Sequence, residues 1–289
     1  MKSAERRSIA GILGSMNRET TPAVRLDRIL DLARRAALAP ADRILTGYRN
    51  PALAVETKPD SSPVTAFDRE SEQQIREILG SDPWPVLGEE LGGDTAGSQY
   101  RWVVDPIDGT MPFSRGLPYF GTLVAFEETG RRALAGAINL PPFRELYTAA
   151  RGMGAHCNGV PIHVAPRRDL PNCIVSAPEI QKFRVARLEE GYEKLGTVVK
   201  HFRGNGDCWM HAMAARGAVD AVVEFSLNRW DIAATEVIVE EAGGRFYTRP
   251  SKTVQGKFDV VFGSPAAADE IVALLNFEPA EPAAPVQPG

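Results

Sequence analysis

The sequence predicts an α+β protein in which an α+β half is followed by an α/β half. From 84 to 165, short β-rich runs alternate with Gly, Pro and charged turns, a pattern typical of an antiparallel sheet. After about residue 170, strand-like runs alternate with helical patterns, which indicates an α/β arrangement. The chain has 289 residues, enough for two such units, predicted here as 20–170 and 171–276.

Two amphipathic helices precede the first sheet. Thr21-Pro22 predicts the start of the first, as an N-cap residue followed by Pro in the first turn. Its apolar residues recur at helical spacing: Leu26, Ile29, Leu30, Ala33 and Ala37. The second helix is predicted from Asp68 to Gly80, after a loop that contains Pro51 and Pro59. Both helices are expected to pack on the sheet that follows.

The remaining elements follow from shorter patterns. Strands are predicted at 102–104, 122–126, 135–140 and 145–149 in the first half, and at 173–176, 198–202, 219–225 and 258–262 in the second. Helices are predicted at 180–194, 207–216, 231–242 and 265–275. The Pro- and Ala-rich residues 277–289 predict a disordered tail.

Composition excludes several classes of protein. With 44% hydrophobic and 24% charged residues, the chain is not wholly disordered, collagenous or a coiled coil. Net charge is -4 without a Lys/Arg run, which argues against nucleic acid as the main partner. No apolar stretch approaches the roughly 20 residues that a bilayer requires. The start, MKSAERRSIAGILGSM, is predicted to be a loose leader or short helix rather than a secretory signal.

The cysteines favour a reducing compartment. Cys157, Cys173 and Cys208 are an odd number, far apart, without a CxxC pair, so they predict neither a disulfide framework nor a zinc finger. A cytoplasmic location is therefore expected.

The strongest chemical motif is Asp105-Pro106-Ile107-Asp108-Gly109-Thr110, directly after an apolar strand. Pro106 stiffens the turn, which lets both carboxylates converge on one point. Gly109 permits a close backbone approach, and a helix starting at Thr110 would offer N–H groups to an anion. Carboxylate oxygens beside an anion site suit Mg²⁺ and phosphate. Taken alone, the motif is also compatible with a capped loop carrying two solvated aspartates.

Three further acidic segments are weak signals individually. Glu89 and Glu90 follow a short apolar run, as surface acids often do. Asp231 opens a helix, where an N-cap role is the commonest reason for Asp. Asp68, with Thr65, can likewise be an ordinary capping residue.

Together, GEE, DPIDGT and a WD pair about 120 residues later resemble the inositol monophosphatase superfamily of Mg²⁺-dependent, lithium-sensitive phosphatases. The segments VTAFDRESE, GMGAHCNGVPIHVA and WDIAATEVIVEEAGG extend this resemblance over most of the chain. It implies a layered α-β-α-β-α sandwich of the inositol monophosphatase / fructose-1,6-bisphosphatase type. A homodimer is usual in that family, with the metals lying between the two halves.

The resemblance also implies a role for each motif residue. Two or three Mg²⁺ ions per site would be held by Glu89, Asp105, the carbonyl of Ile107, Asp108 and Asp231. Asp68, Glu89 and Thr110 would be the catalytic residues, with Thr110 and Asp68 orienting the attacking water. The N–H groups of Gly109 and Thr110 would receive the phosphate. No cysteine lies in a phosphatase-loop pattern and no DxDxT motif is present, so a covalent phosphoenzyme is disfavoured.

The substrate is predicted to be a small phosphate ester, most like that of the histidinol-phosphate phosphatase branch. GLPYFGTLVAF after the DGT motif and GNGDCW around Asp207 resemble that branch. Asp207 and Glu224 would then bind the cationic amine of histidinol. Met111 departs from the Arg often found there in that branch, and Asp207 can instead be a plain helix cap.

Other functions remain open. Inositol 1-phosphate is the main alternative substrate, ahead of sugar and nucleotide bisphosphates. A non-enzymatic reading is a regulatory binding protein that kept the fold, against which the complete set of acidic residues argues.

Overall fold

The computed structural model describes residues 24–58, 63–204 and 206–280. The helices are α1 Leu26–Leu38, α2 Ala41–Gly47, α3 Ala66–Leu79, α4 Thr110–Ser114, α5 Ile180–Val185, α6 Glu189–Val198, α7 Asp207–Ala215, α8 Arg229–Glu241 and α9 Pro265–Leu274. The strands are β1 Glu56–Thr57, β2 Pro63–Val64, β3 Val86–Gly88, β4 Tyr100–Asp108, β5 Gly121–Glu128, β6 Ala133–Leu140, β7 Glu145–Ala150, β8 Ala155–Cys157, β9 Val160–Pro161, β10 Ile174–Ser176, β11 His201–Arg203, β12 Ala221–Leu227, β13 Arg245–Pro250 and β14 Phe258–Gly263.

Two sheets form the framework. The first has the order β3-β4-β5-β6-β7-β8-β9 and is antiparallel except for the parallel pair β3-β4. The second has the order β11-β10-β12-β14-β13 and is mixed, with β10 parallel to both of its neighbours. The predicted antiparallel sheet and the later mixed α/β half are both present.

Helices separate and flank the sheets, so the predicted α-β-α-β-α layering is confirmed. On the outer face of the first sheet, α1 and α3 bury Ile29, Leu32 and Ile75 against β4 and β5. Between the sheets lie α7 and α8, the latter buried along almost its whole length. On the outer face of the second sheet, α5, α6 and α9 form a separate apolar cluster.

Several boundaries differ from those predicted. The predicted start at Thr21-Pro22 lies outside the described residues, and α1 begins at Leu26 after an extended Arg25. The single helix predicted at 180–194 is two helices, because Arg187 has φ 58° between them. Val198 ends α6, and the strand predicted to begin there begins at His201. The elements that were not predicted include α2, the short strands β1, β2, β8 and β9, and β13.

The segment predicted as a disordered tail begins with a packed residue. Phe277 is buried in the outer cluster, and the Arg249 guanidinium lies 4.3 Å from its ring centroid. Residues 281–289 of that segment lie outside the described part of the chain. Among the described residues, no helix has the length and apolarity needed to cross a membrane.

Candidate metal centre

The DPIDGT motif forms the junction between β4 and α4. A register irregularity between Asp105 and Asp108 breaks the pairing of β4 with β5. Gly109 then adopts φ 81°, a left-handed conformation that favours glycine. A Cβ at this position would lie 2.5 Å from the carbonyl oxygen of Tyr119. The turn therefore requires Gly109, as the sequence predicted, and it directs the motif towards α8.

Three carboxylates converge at this turn. Asp105, Asp108 and Asp231 each offer one oxygen, and these atoms lie within 4.8 Å of one another. Asp231 comes from α8, so the cluster joins segments more than 120 residues apart. Asp105 is 2% exposed, and its Oδ1 has no hydrogen-bond partner within residues 24–58, 63–204 and 206–280. A buried, unpaired carboxylate oxygen is costly unless a cation satisfies it.

The pKa values of these three aspartates reflect their burial beside other carboxylates. Burial, followed by the charge of Glu89, raises the pKa of Asp105 well above its ordinary value. Burial and nearby carboxylates do the same to Asp108. Burial is also the main cause that raises the pKa of Asp231 to about 7. A bound divalent cation would relieve this repulsion, and an all-oxygen donor set is what Mg²⁺ prefers. The residues present therefore fit the predicted metal.

Glu89 lies beside the cluster, close enough for its charge to raise the pKa of Asp105. Lys58 Nζ donates to Glu89 Oε1 at 2.8 Å and also binds the Glu90 carboxylate. This lysine neutralises part of the charge, and the sequence analysis gave it no role. The turn itself is held from α3, where the buried Glu72 accepts the backbone N–H of Glu90 at 2.7 Å.

Asp68 and Asp231 both belong to capping boxes. Asp68 Oδ2 accepts the N–H of Thr65 at 2.7 Å, and Asp231 Oδ2 accepts the N–H of Asn228 at the same distance. Each aspartate is the third residue of its helix rather than the N-cap itself. The prediction that these aspartates take part in helix capping was therefore correct, although Asp231 is not the N-cap residue itself. In both residues the cap uses Oδ2, which leaves Oδ1 available to the site.

Thr110 connects the motif to α3. Its Oγ1 lies 3.1 Å from Asp68 Oδ1 and 3.0 Å from the carbonyl oxygen of Ile107. Three of the predicted site residues are thus in one contact chain. Burial raises the pKa of Asp68, while hydrogen bonds from Thr65 and Thr110 oppose that shift.

Asp207 and Glu224 approach the cluster from the second half. Asp207 begins α7 with φ 58°, an unusual conformation for a residue other than glycine. Burial, and then the charge of Glu224, raises the pKa of Asp207 to about 6. Glu224 is 6% exposed, and its Oε1 has no hydrogen-bond partner among the described residues. Glu224 is thus close enough to Asp207 for its charge to raise the Asp207 pKa, a shift that the nearby His211 and Lys182 oppose.

The neighbouring cysteine is not a nucleophile. The Cys208 N–H donates to Asp108 Oδ2, which ties α7 to the DPIDGT turn. Cys208 is fully buried, and burial followed by the charge of Asp108 raises the pKa of its thiol well above the ordinary value. A thiol held protonated does not attack phosphorus, in agreement with the sequence analysis.

The chain is similar to known proteins in both sequence and structure. A model described as the inositol monophosphatase family matches residues 25–279. A histidinol-phosphatase from Mycobacterium tuberculosis is 36% identical over 251 residues, which are 83% of this chain and 96% of that protein. A fructose-1,6-bisphosphatase/inositol-1-monophosphatase from Aquifex aeolicus is 31% identical, over 87% of this chain and 96% of that protein. An inositol monophosphatase structure from Zymomonas mobilis, 29% identical, matches with a TM-score of 0.75 over 88% of this chain and 100% of that chain.

Proposed function

Because the chain belongs to the inositol monophosphatase family, we propose that it is a Mg²⁺-dependent phosphatase that hydrolyses L-histidinol phosphate to L-histidinol and phosphate. The relative from Mycobacterium tuberculosis, whose name is histidinol-phosphatase, supports this choice of substrate. The chemistry of the acidic residues supports it independently.

The metal would be held by the converging acidic groups. Asp105, Asp108 and Asp231 are the core ligands, and Glu89 and the carbonyl of Ile107 complete the proposed donor set. When bound, Mg²⁺ supplies charge stabilisation for the phosphate ester and lowers the pKa of water. The unpaired Oδ1 of Asp105 is the atom that most directly supports a cation here.

The chain's own residues would orient the water and the phosphate. Asp68 Oδ1 accepts the hydrogen of the Thr110 hydroxyl, which leaves the Thr110 oxygen to accept a hydrogen from water. A water held in that way presents a lone pair to phosphorus. The N–H groups of Gly109 and Thr110 are proposed to bind phosphate oxygens.

One observation carries the choice of substrate. Glu224 Oε1 is buried and has no partner among the residues that the structure describes, and it lies near Asp207, whose pKa is raised to about 6 by burial and by that glutamate. An ammonium group placed between the two carboxylates would satisfy both. L-histidinol phosphate carries such a group, whereas inositol 1-phosphate offers only hydroxyls. The pair therefore favours a cationic leaving group.

Inositol 1-phosphate is the second candidate. Carboxylates also accept hydrogen bonds from hydroxyls, and the relative from Aquifex aeolicus is named for both fructose 1,6-bisphosphate and inositol 1-phosphate hydrolysis. On this alternative, removing the charge of Asp207 would do little harm, because a neutral amide also accepts from a hydroxyl.

The test measures phosphate release from both esters at matched concentrations, with Mg²⁺ and with EDTA. We expect kcat/KM to favour L-histidinol phosphate by about a hundredfold, with no release in EDTA. Asp207→Asn should lower that preference about tenfold, whereas Asp42→Asn, on the exposed side of α2, should not. A wild-type preference for inositol 1-phosphate would contradict the proposed substrate.

A further inference from the structure

His211 is a buried histidine that no sequence motif marks. It lies on α7, is 1% exposed, and reaches between β12 and α8. Its Nδ1 lies 2.8 Å from Thr235 Oγ1, and its Nε2 lies 3.2 Å from Glu224 Oε2. The ring meets Phe262 edge to face, at 88° with the centroids 5.1 Å apart. Both ring nitrogens and the ring plane are therefore fixed.

The direction of the Glu224 contact follows from the chemistry of the carboxylate. An ionised carboxylate only accepts hydrogen bonds, so Nε2 carries the hydrogen and donates it to Glu224 Oε2. The Thr235 hydroxyl can donate or accept, so the Nδ1 contact is satisfied in either charge state of the ring. The arrangement thus holds Glu224 without depending on the titration of His211.

The contact leaves one oxygen of Glu224 for another partner. His211 occupies Oε2, while no residue in the described part of the chain makes a hydrogen bond to Oε1. A Cβ at Gly206 would lie 2.6 Å from this Oε1, so the carboxylate lies against the backbone directly before Asp207. The free oxygen is therefore on the Asp207 side of Glu224.

We propose that His211 is a positioning residue for substrate selection: it binds Oε2 of Glu224 so that Oε1 faces the cationic group of the substrate together with Asp207. This inference rests on the proposed function, because it assumes that the two carboxylates bind an ammonium group. Thr235, which contacts Nδ1 of His211, lies on α8 one turn beyond Asp231. The contact therefore links substrate selection to the helix that carries a proposed metal ligand.

Two substitutions of similar chemistry separate this role from simple packing. The amide nitrogen of Gln can stand where Nε2 stands, whereas that of Asn reaches only the position of Nδ1. His211→Gln therefore keeps a donor to Glu224, and His211→Asn keeps the contact with Thr235 but loses the one with Glu224. A role in packing alone would make both variants equally poor.

The readout is the ratio of kcat/KM for L-histidinol phosphate to that for p-nitrophenyl phosphate, which lacks an ammonium group. We expect His211→Asn to lower this ratio about tenfold, mainly through the KM for L-histidinol phosphate, and His211→Gln to restore most of it. Thr235→Val, which removes only the supporting hydroxyl, should lower the ratio less. If His211→Asn does not fold, Thr235→Val provides the test in its place.

The possible outcomes separate the role of His211 from the identity of the substrate. Equal losses in His211→Asn and His211→Gln, or an unchanged ratio in His211→Asn and Thr235→Val, would overturn the role of His211 alone. A wild-type protein that hydrolyses p-nitrophenyl phosphate but not L-histidinol phosphate would overturn the proposed substrate, and the role of His211 with it.

Discussion

Thr110 Oγ1 lies 3.1 Å from Asp68 Oδ1, which joins the first residue of α4 to the third residue of α3. The two carboxylate oxygens of Asp68 have different partners. Oδ2 accepts hydrogen bonds from Thr65 and so caps α3, while Oδ1 contacts the Thr110 hydroxyl. Removing the Asp68 side chain would therefore damage the helix cap and the site together. Thr110 is the better residue with which to test the contact.

Thr110→Val should remove the hydroxyl at constant shape. We expect kcat to fall by about a hundredfold, with KM within about threefold, because the hydroxyl acts on the attacking water rather than on substrate affinity. Thr248→Val is the matched control, since the Thr248 hydroxyl in β13 is buried and has no partner in the described part of the chain. That variant should keep its activity. An unaffected kcat in Thr110→Val would remove Thr110 from the proposed mechanism.

Asp105→Asn should separate activity from stability. The substitution removes a carboxylate that is buried among Glu89, Asp108 and Asp231, whose charges repel it. We expect Mg²⁺-dependent phosphate release to fall at least about a hundredfold. In EDTA, however, the variant should be more stable by roughly 1 kcal/mol, or about 2–4 °C in Tm.

The effect of Mg²⁺ on the Tm of the two proteins provides a second comparison. Added Mg²⁺ should raise the Tm of the wild type more than that of Asp105→Asn, because the variant has lost a proposed ligand. If the variant is less stable than the wild type in EDTA, then Asp105 serves the fold through a contact other than metal binding.

Stability without metal should decrease as pH rises. The pKa of Asp231 is about 7 in the folded chain against an ordinary value of 3.8, so the folded chain holds a proton that the unfolded chain releases. A raised pKa therefore stabilises the fold at low pH, and this contribution is lost as pH rises through about 7. Mg²⁺ replaces the proton, so its effect on Tm should grow with pH.

The measurement compares Tm in EDTA and in Mg²⁺ at pH 5.5 and pH 8. We expect the stabilisation by Mg²⁺ to be at least about 3 °C larger at pH 8. Asp231→Asn should flatten this dependence. A stabilisation that does not vary with pH would contradict the assignment of Asp231 as a buried, metal-binding carboxylate.

Part of the arrangement could be anticipated because its acidic residues lie in a few short motifs. Asp105, Asp108 and Asp231 offer oxygens within 4.8 Å of one another, as the resemblance to the family implied, while their role in metal binding stays a prediction. Capping is compatible with that role, since Asp231 uses only Oδ2 for its cap. From the local sequence alone, helix capping and metal binding were alternative roles for Asp231.

What the sequence did not predict depends on tertiary contacts. His211 and Lys58 acquire partners only when distant segments meet, and neither has a local pattern that marks it. The break after α5 rests on the positive φ of Arg187, a residue type that does not signal such a conformation. Strand β13 has an intermediate burial pattern without clear alternation, so periodicity did not reveal it.

Arg229 should be important for stability rather than chemistry. It opens α8 and is paired with two buried acids, Glu127 at 2.5 Å and Glu236 at 2.7 Å. Arg229→Met would leave Glu127 with Arg101, and Glu236 with Arg151 and the backbone N–H of Ala133. Breaking a buried pair on one side costs about 3 kcal/mol of unfolding free energy, and we expect a loss of that size.

The surroundings of Arg229 make compensation by repacking difficult. A cavity of about 660 Å³ lies against Arg229 and Trp230, so a shorter apolar side chain would border open space rather than fill it. Urea unfolding gives the free energy of unfolding for Arg229→Met and for Arg34→Met, an exposed ion pair whose loss should cost less than about 0.5 kcal/mol. Arg229→Lys should fall between them, because one ammonium cannot match the two-sided contact of a guanidinium. Equal stability of the Arg229→Met and Arg34→Met variants would mean that the remaining partners satisfy the two buried acids.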